Sequence, residues 1–289
     1  MYIVSLIAKP GTLDAALVDS LRNAFGGGDA LWLSPDEAAE FPVETTPTNL
    51  AEVRASIADQ ADLNILPVAN RRKRMVLADM DSTMIQQECI DELAEVAGVG
   101  AHVKAITARA MNGELDFEGA LTERVALLKG LPESVIDTVV AERITLMPGG
   151  PELIATMKAN GSHAALVSGG FTAFTTRVSA MLGFDENRAN TLLIENGTLT
   201  GEVGRPILGR EAKVEALEQI TTRLGISEAD VIAVGDGAND LGMLGRAGLG
   251  VALHAKPMVQ EQSDCRVNHG DLTALLFLQG YARSAFVSP

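Results

Sequence analysis

The sequence predicts an α/β protein with a doubly wound, Rossmann-like sheet that carries a helical cap insertion and follows a small α+β domain. Three observations lead to this fold class. Strands and helices alternate after about residue 146, an all-helical stretch of about 60 residues follows the first fully apolar strand, and the first 70 residues have the element order β-α-β-β-α-β.

The N-terminal elements indicate a ferredoxin-like domain over residues 1–70. Thr12 is expected to cap the first helix, which Gly26-Gly27-Gly28 ends, and Asn49 is expected to cap the second. The four predicted strands occupy residues 2–8, 30–33, 41–43 and 63–68.

A basic run, Arg71-Arg72-Lys73-Arg74, separates this region from the remainder, residues 71–289. Such a run can be a localisation signal or a nucleic-acid patch. Four basic residues are a weak signal in an acidic chain, so we interpret them as a solvated linker between two domains.

The second domain begins with Met75–Ala78, a short apolar strand of the kind that a parallel sheet buries on both faces. Four helical stripes follow without a strand between them, and we expect them to form a cap over about 88–145, inserted between core segments 74–87 and 146–289. The later predicted strands cover residues 164–167, 192–194, 199–203, 231–234 and 249–253, and the predicted helices begin beyond Thr172 and cover 211–224 and 240–247.

Composition restricts the function. The formal net charge is −15 and the pI is near 4.7, which disfavours general binding to nucleic acid or to an anionic membrane. Two cysteines favour a reducing compartment over a disulfide framework. The chain start has no basic stretch ahead of its short apolar run, and no apolar run approaches the roughly 20 residues of a membrane span. We therefore expect a cytoplasmic protein.

Polar side chains follow the predicted core strands at the edge where open α/β sheets bind ligands. Asp79 and Asp81 come directly after the first strand. Two neighbouring carboxylates can share a hard cation, and their mutual repulsion can leave one ionised and the other protonated. The loop Gly235-Asp236-Gly237-Ala238-Asn239-Asp240 adds two acids and an amide, which are oxygen ligands suited to a metal.

Two further features are weaker when taken alone. Ser168-Gly169-Gly170 follows the predicted strand 164–167, where its hydroxyl and backbone N–H groups can cradle a phosphate or simply form a β–α turn. Lys213 lies near the start of a helix, where most lysines are solvated.

In combination, and in this order along the chain, the four features resemble the haloacid-dehalogenase (HAD) superfamily of phosphotransferases, and within it the phosphatases that hydrolyse O-phosphoserine. The resemblance covers about residues 74–270. It extends to Glu88 and Ile90-Asp91-Glu92, to Phe171 after the Ser168 motif, and to the cap segment 111–117 with Arg124. Residues 1–70 resemble, by element order, a divergent ACT-type regulatory domain.

The resemblance implies hydrolysis of O-phospho-L-serine through an aspartyl-phosphate, the last step of serine biosynthesis. Asp79 would be the nucleophile, and Asp81 would protonate the leaving serine and then activate water. One Mg²⁺ would be held by the carboxylates of Asp79 and Asp236 and the backbone carbonyl of Asp81.

The resemblance also implies how the substrate is held. Ser168, Gly169 and Lys213 would bind the phosphoryl group, Asn239 would support it and Asp240 would position Lys213. In the cap, Glu88 would meet the substrate ammonium and Arg124 its carboxylate. Met111 and Phe117 would close the pocket, although both also suit the apolar core of the cap.

Three alternatives stay open at this stage. The first is a phosphatase or phosphotransferase for another small ester or acceptor, such as a phosphosugar or homoserine. The second is a signalling receiver domain, which also has an acidic Mg²⁺ site but is about 120 residues long and lacks a cap. The third is an amino-acid sensor acting through residues 1–70. The expected partner is a small molecule, with neither nucleic acid nor membrane; the oligomeric state is open, with a homodimer as one option.

Overall fold

The computed structural model describes residues 1–111 and 114–288, except for the side chain of Met111. The described strands form a four-stranded antiparallel sheet, a six-stranded parallel sheet and a two-stranded hairpin. No described helix has both the length and the apolar character needed to cross a membrane.

The N-terminal sheet has the strand order β2-β3-β1-β4. Its alternating residues give it two apolar faces. One face, with Val4, Leu6 and Phe41, packs against the two helices of this region. The element bounds are β1 (Tyr2–Ile7), α1 (Ala15–Ala24), β2 (Leu31–Ser34), β3 (Ala38–Val43), α2 (Leu50–Ser56) and β4 (Asp62–Pro67).

The predicted cap of the first helix is wrong. Asp14 is the N-cap, and its side chain accepts a hydrogen bond from the Ala16 N–H. Thr12 lies in the preceding turn, where its hydroxyl donates to the Lys9 carbonyl. Asn49 does occupy the N-cap position of α2, although its side chain makes no capping hydrogen bond.

The other face of the N-terminal sheet packs onto the second domain. Ile7, Leu33 and Leu66 belong to the same apolar cluster as the C-terminal residues 274–278. At the edge of this contact, Asn64 of β4 exchanges two hydrogen bonds with the backbone of Arg266. The two sheets are therefore joined by a continuous core as well as by the chain.

The interpretation of the basic run as a solvated linker is wrong for Arg71 and Lys73, whereas Arg72 and Arg74 are exposed. Arg71 donates two hydrogen bonds to the carboxylate of Glu40 and reaches the carbonyl oxygen of Leu278. Lys73 is buried and its ammonium donates to the Ala229 carbonyl, while Arg72 stacks over the Tyr281 ring. Arg71 and Lys73 thus bind one carboxylate and several backbone carbonyls at the junction.

The six strands of the large sheet are parallel and ordered β12-β11-β10-β5-β6-β7. The chain runs outward from β5 through β6 to β7, returns to β10 beside β5, and then runs outward on the other side. The reversal of strand order between β5 and β10 is the point at which open α/β sheets bind ligands. The strand bounds are β5 (Met75–Ala78), β6 (His163–Phe171), β7 (Glu186–Asn190), β10 (Val231–Gly235), β11 (Leu249–Leu253) and β12 (Cys265–Val267).

Helices pack on the large sheet, and a hairpin that follows β7 contacts the helical insertion. The hairpin predicted around Asn196-Gly197 is present, with both turn residues at positive φ, 51° and 73°. Gly130 and Leu131 exchange backbone hydrogen bonds with Leu199 of the hairpin. The bounds are α7 (Gly150–Ala159), α8 (Thr172–Leu182), β8 (Leu192–Glu195), β9 (Thr198–Val203), α9 (Arg210–Leu224), α10 (Leu241–Arg246), α11 (Pro257–Glu261) and α12 (Ala274–Leu278).

The insertion after β5 is helical, as expected, with helices α3 (Cys89–Val96), α4 (Gly100–Met111), α5 (Phe117–Ala126) and α6 (Ser134–Glu142). The chain enters and leaves it through two paired segments. Met147 N–H donates to the Met84 carbonyl, and Gln86 N–H donates to the Thr145 carbonyl. These bonds tie the two crossing segments to each other.

We predict that Arg71→Ala lowers the free energy of unfolding by about 3 kcal/mol, because it leaves the buried Glu40 carboxylate without its cation. Urea denaturation measures this change. The control is Lys104→Ala, which removes an ion pair with Glu95 whose side chains are 70% and 46% exposed, and should cost less than about 1 kcal/mol. Equal losses in the two variants would show that the Arg71 pair does not join the domains.

Candidate active site

A cavity of about 320 Å³ opens where β5, β6 and β10 end beneath the helical insertion. It brings together residues from all three strand ends and from the cap. The lining residues with polar or charged side chains are Asp79, Asp81, Glu88, Arg124, Ser168, Asp236, Asn239 and Lys256.

Asp79 is positioned by the end of β5 and by a tight turn after it. Its N–H donates to the Val234 carbonyl of β10, which extends the sheet by one residue. The Met80 carbonyl then accepts from the N–H groups of Thr83, Met84 and Ile85, so that the chain reverses at once. The turn leaves Asp79 and Asp81 at the sheet edge, as the sequence predicts.

Lys213 of α9 lies between two buried carboxylates. Its Nζ is 2.7 Å from Asp79 Oδ1 and 2.5 Å from Asp240 Oδ1, and all three residues are at most 5% exposed. Burial opposes the charge on Lys213, but Asp79 and Asp240 outweigh it and raise the lysine pKa. Lys213 is only 2% exposed, and the prediction that it also binds the phosphoryl group stays a prediction.

Opposing effects act on the pKa of Asp79. Burial and the nearby Asp240 raise the pKa of Asp79 well above its ordinary value, although Lys213 acts against them. Met80 N–H and Lys213 both donate to Oδ1 of Asp79. Oδ2 receives no hydrogen bond from the described part of the chain, which leaves that oxygen to a ligand.

Asp81 is held in a different setting. Its Oδ1 accepts a hydrogen bond from Cys89 N–H at 3.0 Å, and its Oδ2 accepts one from the Ser168 hydroxyl at 3.3 Å. Burial raises the pKa of Asp81, with Cys89 N–H, Lys213 and Ser168 acting against it. A carboxyl group held in this way can give and take a proton at the cavity wall.

The Ser168 motif is extended backbone within β6, which excludes the β–α turn that was one of its two interpretations. The register with β7 shifts between Val167 and Phe171, so the strand bends where the two glycines lie. Asn190 of β7 braces this bend, because its amide donates to the carbonyls of Gly169 and Leu208.

Within the described residues, one group of carboxylates is close enough to share a metal ion. Asp79, Asp236 and Asp240 each place a ligand oxygen within 4.8 Å of the others. A β-carbon on Gly235 would lie 2.3 Å from the Asp240 carboxyl carbon, so glycine is required for this approach. Burial and Asp240 raise the pKa of Asp236 to about 6.

The predicted metal ligands agree with this group in part. Asp79 and Asp236 belong to it, whereas the Asp81 side chain is bound to Cys89 and Ser168. The predicted contribution of the Asp81 backbone carbonyl stays a prediction.

The cap contributes charges and one aromatic ring to the cavity. The Glu88 carboxylate accepts a hydrogen bond from Ser82, and burial together with Asp81 raises the pKa of Glu88 to about 7. Arg124 is partly buried, and burial lowers its pKa. Phe117 lies over the bend of β6, since a β-carbon on Gly169 would be 3.3 Å from its Cζ. Glu88 and Arg124 therefore place opposite charges on one cavity.

Two residues of the site, Asn190 and Lys256, were not predicted from the sequence. A third, Met111, was predicted to belong to the site. The side chain of Met111, predicted to close the pocket, lies outside the described residues. Asn190 gives no sequence signal, because it lies in a polar strand, Glu186–Asn190, without apolar alternation. Lys256 follows β11 just as the other site residues follow their strands, so its position after a predicted strand was an available signal.

Comparison with known proteins identifies the family to which the chain belongs. A family model of haloacid dehalogenase-like hydrolases matches residues 76–245. A solved HAD family hydrolase from Salmonella enterica serovar Typhi superposes with a TM-score of 0.88 at 33% identity, covering 96% of this chain and 98% of that one. The chain belongs to the haloacid dehalogenase-like hydrolase family. This membership and the helical cap exclude the receiver-domain alternative.

Two relatives are more specific. The phosphoserine phosphatase of Archaeoglobus fulgidus is 44% identical over 243 residues, which are 82% of this chain and 70% of that protein. A structure described as a phospho-aspartyl intermediate analogue of phosphoserine phosphatase is 43% identical, with a TM-score of 0.66, and covers 71% of this chain and 98% of that one.

We predict that Lys213→Met lowers the free energy of unfolding by about 3–5 kcal/mol at pH 8, because Asp79 and Asp240 lose the cation between them. Without that cation, the Asp79 pKa rises further. A carboxyl group with a raised folded-state pKa destabilises the protein as pH rises and ceases to do so once protonated.

The deficit of Lys213→Met should therefore shrink between pH 8 and pH 5.5, as measured by urea denaturation at each pH. The conservative control is Lys213→Arg, which keeps the charge. A deficit that does not depend on pH would assign the loss to packing of the lysine side chain.

Proposed function

We propose that this chain hydrolyses O-phospho-L-serine to L-serine and phosphate through an aspartyl-phosphate on Asp79. The observation that carries the proposal is that one cavity is lined both by Asp79 and by the oppositely charged cap residues Glu88 and Arg124. Its 44% identity to a phosphoserine phosphatase supports the substrate class.

In the first step, Asp79 Oδ2 attacks phosphorus and the P–O bond to serine breaks. The free Oδ2, beside an Oδ1 that is held by Lys213 and Met80 N–H, supports this role. The serine oxygen takes a proton from Asp81, which lines the cavity and is held by Cys89 N–H and Ser168.

In the second step, Asp81 accepts a proton from water, and the water oxygen attacks phosphorus. The P–O bond to Asp79 breaks, so phosphate leaves and the Asp79 carboxylate is restored. Ser168, Gly169 and Asn239, which line the same cavity, hold the phosphoryl group. Lys213, set between Asp79 and Asp240, holds Oδ1 of the nucleophile and also binds the phosphoryl group.

The donor set fits a Mg²⁺ ion. Asp79 and Asp236 supply hard carboxylate oxygens, and Asp240 completes the close group while also binding Lys213. When bound, one Mg²⁺ neutralises negative charge on the phosphoryl group and lets a carboxylate approach it.

The cap determines which ester is accepted. The Arg124 guanidinium can bind the substrate carboxylate through two hydrogen bonds, and the Glu88 carboxylate can bind the ammonium. Phe117 covers the bend at Gly169 and limits the space beside the phosphoryl group.

The division of the chain supports one further proposal. Residues 1–70, with their own sheet, form an ACT-like domain, and residues 71–289 form the phosphatase domain. Paired segments at Ile85 and Leu146 support a cap over about 88–145 inserted between core segments 74–87 and 146–289.

A cytoplasmic location is supported by the free, buried state of Cys89 and Cys265. A homodimer and an amino-acid ligand of residues 1–70 stay predictions.

The decisive experiment measures phosphate release from O-phospho-L-serine with Mg²⁺ and with EDTA. We expect turnover with Mg²⁺ and almost none with EDTA. Asp79→Asn should remove nearly all turnover without unfolding the protein, because the amide has the same shape but is not nucleophilic. Activity in EDTA after dialysis, or more than a few per cent of activity in Asp79→Asn, would contradict the mechanism.

A second experiment tests the substrate. Arg124→Lys should cost roughly 1.5–3 kcal/mol in kcat/KM for O-phospho-L-serine, since it removes a charged two-point contact. The same variant should scarcely change hydrolysis of p-nitrophenyl phosphate, which has no carboxylate. Equal losses on both substrates would place Arg124 at the phosphoryl group or in the fold, and a panel of other phosphate esters would then identify the substrate.

A further inference from the structure

Lys256 is a cation in the active-site cavity that the reaction described above leaves without a role. It lies in the loop after β11, at the same edge of the sheet as Asp79, Ser168 and Asp236. Its side chain is exposed and has no hydrogen bond or ion pair with any other described residue. A free ammonium beside several carboxylates is available to a ligand.

The loop that carries Lys256 is firmly placed. Ala255, directly before Lys256, is 6% exposed, and Val259, three residues after it, is fully buried, whereas Pro257 and Met258 between them are exposed. His254 has the left-handed backbone conformation, with φ of 45°, that a residue with a side chain rarely adopts. Its N–H donates to the Val267 carbonyl of β12, which holds the loop against the sheet. The backbone thus delivers Lys256 to the cavity at a fixed point.

The charges around the cavity call for such a cation. Four carboxylates line it, namely those of Asp79, Asp81, Glu88 and Asp236, whereas Arg124 and Lys256 are the two cations among the lining residues. Lys213 does not line the cavity and is held by Asp79 and Asp240. Arg124 projects from the cap, so Lys256 is the lining cation that the core provides beside Asp236.

We propose that the Lys256 ammonium binds a non-bridging oxygen of the phosphoryl group and so recruits the phosphate dianion into the cavity. This inference rests on the proposed function, because it concerns the phosphate end of that substrate. Lys256 would thereby be a second substrate-binding cation of the core, in addition to Lys213, which contacts Asp79. An ammonium is suited to a single phosphoryl oxygen because it acts as a point charge.

If Lys256 binds the phosphoryl group, Lys256→Met should change the affinities for phosphate and for Mg²⁺ in opposite directions. Phosphate binding should weaken roughly 10- to 100-fold, which is the contribution of one charged hydrogen bond. Mg²⁺ binding without phosphate should instead become tighter, because the variant removes a positive charge near Asp236. A residue with a merely structural role would weaken both.

Isothermal titration calorimetry measures both affinities on the full chain, with Mg²⁺ alone and then with inorganic phosphate in saturating Mg²⁺. Lys256→Arg should retain most of the phosphate affinity. Lys9→Met, an exposed lysine of the N-terminal domain, makes the same change in net charge and should alter neither affinity. Circular dichroism confirms folding, and Lys256→Gln replaces the methionine variant if that one does not fold.

Unchanged phosphate affinity in Lys256→Met, or weaker binding of both Mg²⁺ and phosphate, would overturn the inference. Since the probe is inorganic phosphate, the outcome does not depend on whether O-phospho-L-serine is the substrate. If the wild-type chain failed to hydrolyse that ester while Lys256→Met still lost phosphate affinity, the proposed function would fall and the role of Lys256 would stand.

Discussion

The ion cluster of Lys213, Asp79 and Asp240 is the constraint on which the rest of the site depends. Three separate parts of the chain supply it: α9, the end of β5 and the loop after β10. Burying one charge alone is very costly, whereas the three together compensate one another in the low-dielectric interior. The cluster is therefore stable only when these parts are correctly placed, and correct placement also brings Asp236 to Asp79.

The same cluster gives the two neighbouring acids different properties. Lys213 and Met80 N–H hold one oxygen of Asp79 and leave the other free, which suits a nucleophile. Asp81, two residues later, binds Cys89 N–H and Ser168 instead, whereas burial raises the pKa of both acids. The tight turn at Met80 produces this difference, because it separates the two side chains immediately after the strand. The backbone geometry thus gives two residues of one type different hydrogen-bond partners.

The features predicted correctly from the sequence are those set by burial and by the order of motifs along the chain. The features that were missed depend on contacts between residues far apart in the sequence. Met75–Ala78 and Val231–Val234 were predicted correctly because strands buried on both faces are continuously apolar. The strand Glu186–Asn190 is polar and Cys265–Val267 has three residues, so neither has a recognisable period. The linker interpretation of Arg71 failed for a related reason, since its partner Glu40 is 31 residues away. Among the site residues, the motifs identified Asp79, Ser168 and Asp236 after predicted strands but missed Lys256, which also follows one. Asn190 acts only through its contacts with Gly169 and Leu208.

The carboxylates of the cavity have raised pKa values, which indicates that they are ionised when a metal ion and a ligand are bound. Burial and the neighbouring carboxylate of Asp240 raise the pKa of Asp236 to about 6, and burial with Asp81 raises that of Glu88 to about 7. Each of these groups favours a nearby cation, which stabilises its ionised form. A divalent ion at Asp236 and an ammonium at Glu88 would satisfy both, while Arg124 and Lys256 remain for the carboxylate and the phosphate of one ligand. A zwitterion that carries a phosphate dianion matches these charges, whereas a phosphosugar supplies no cation for Glu88 and no carboxylate for Arg124.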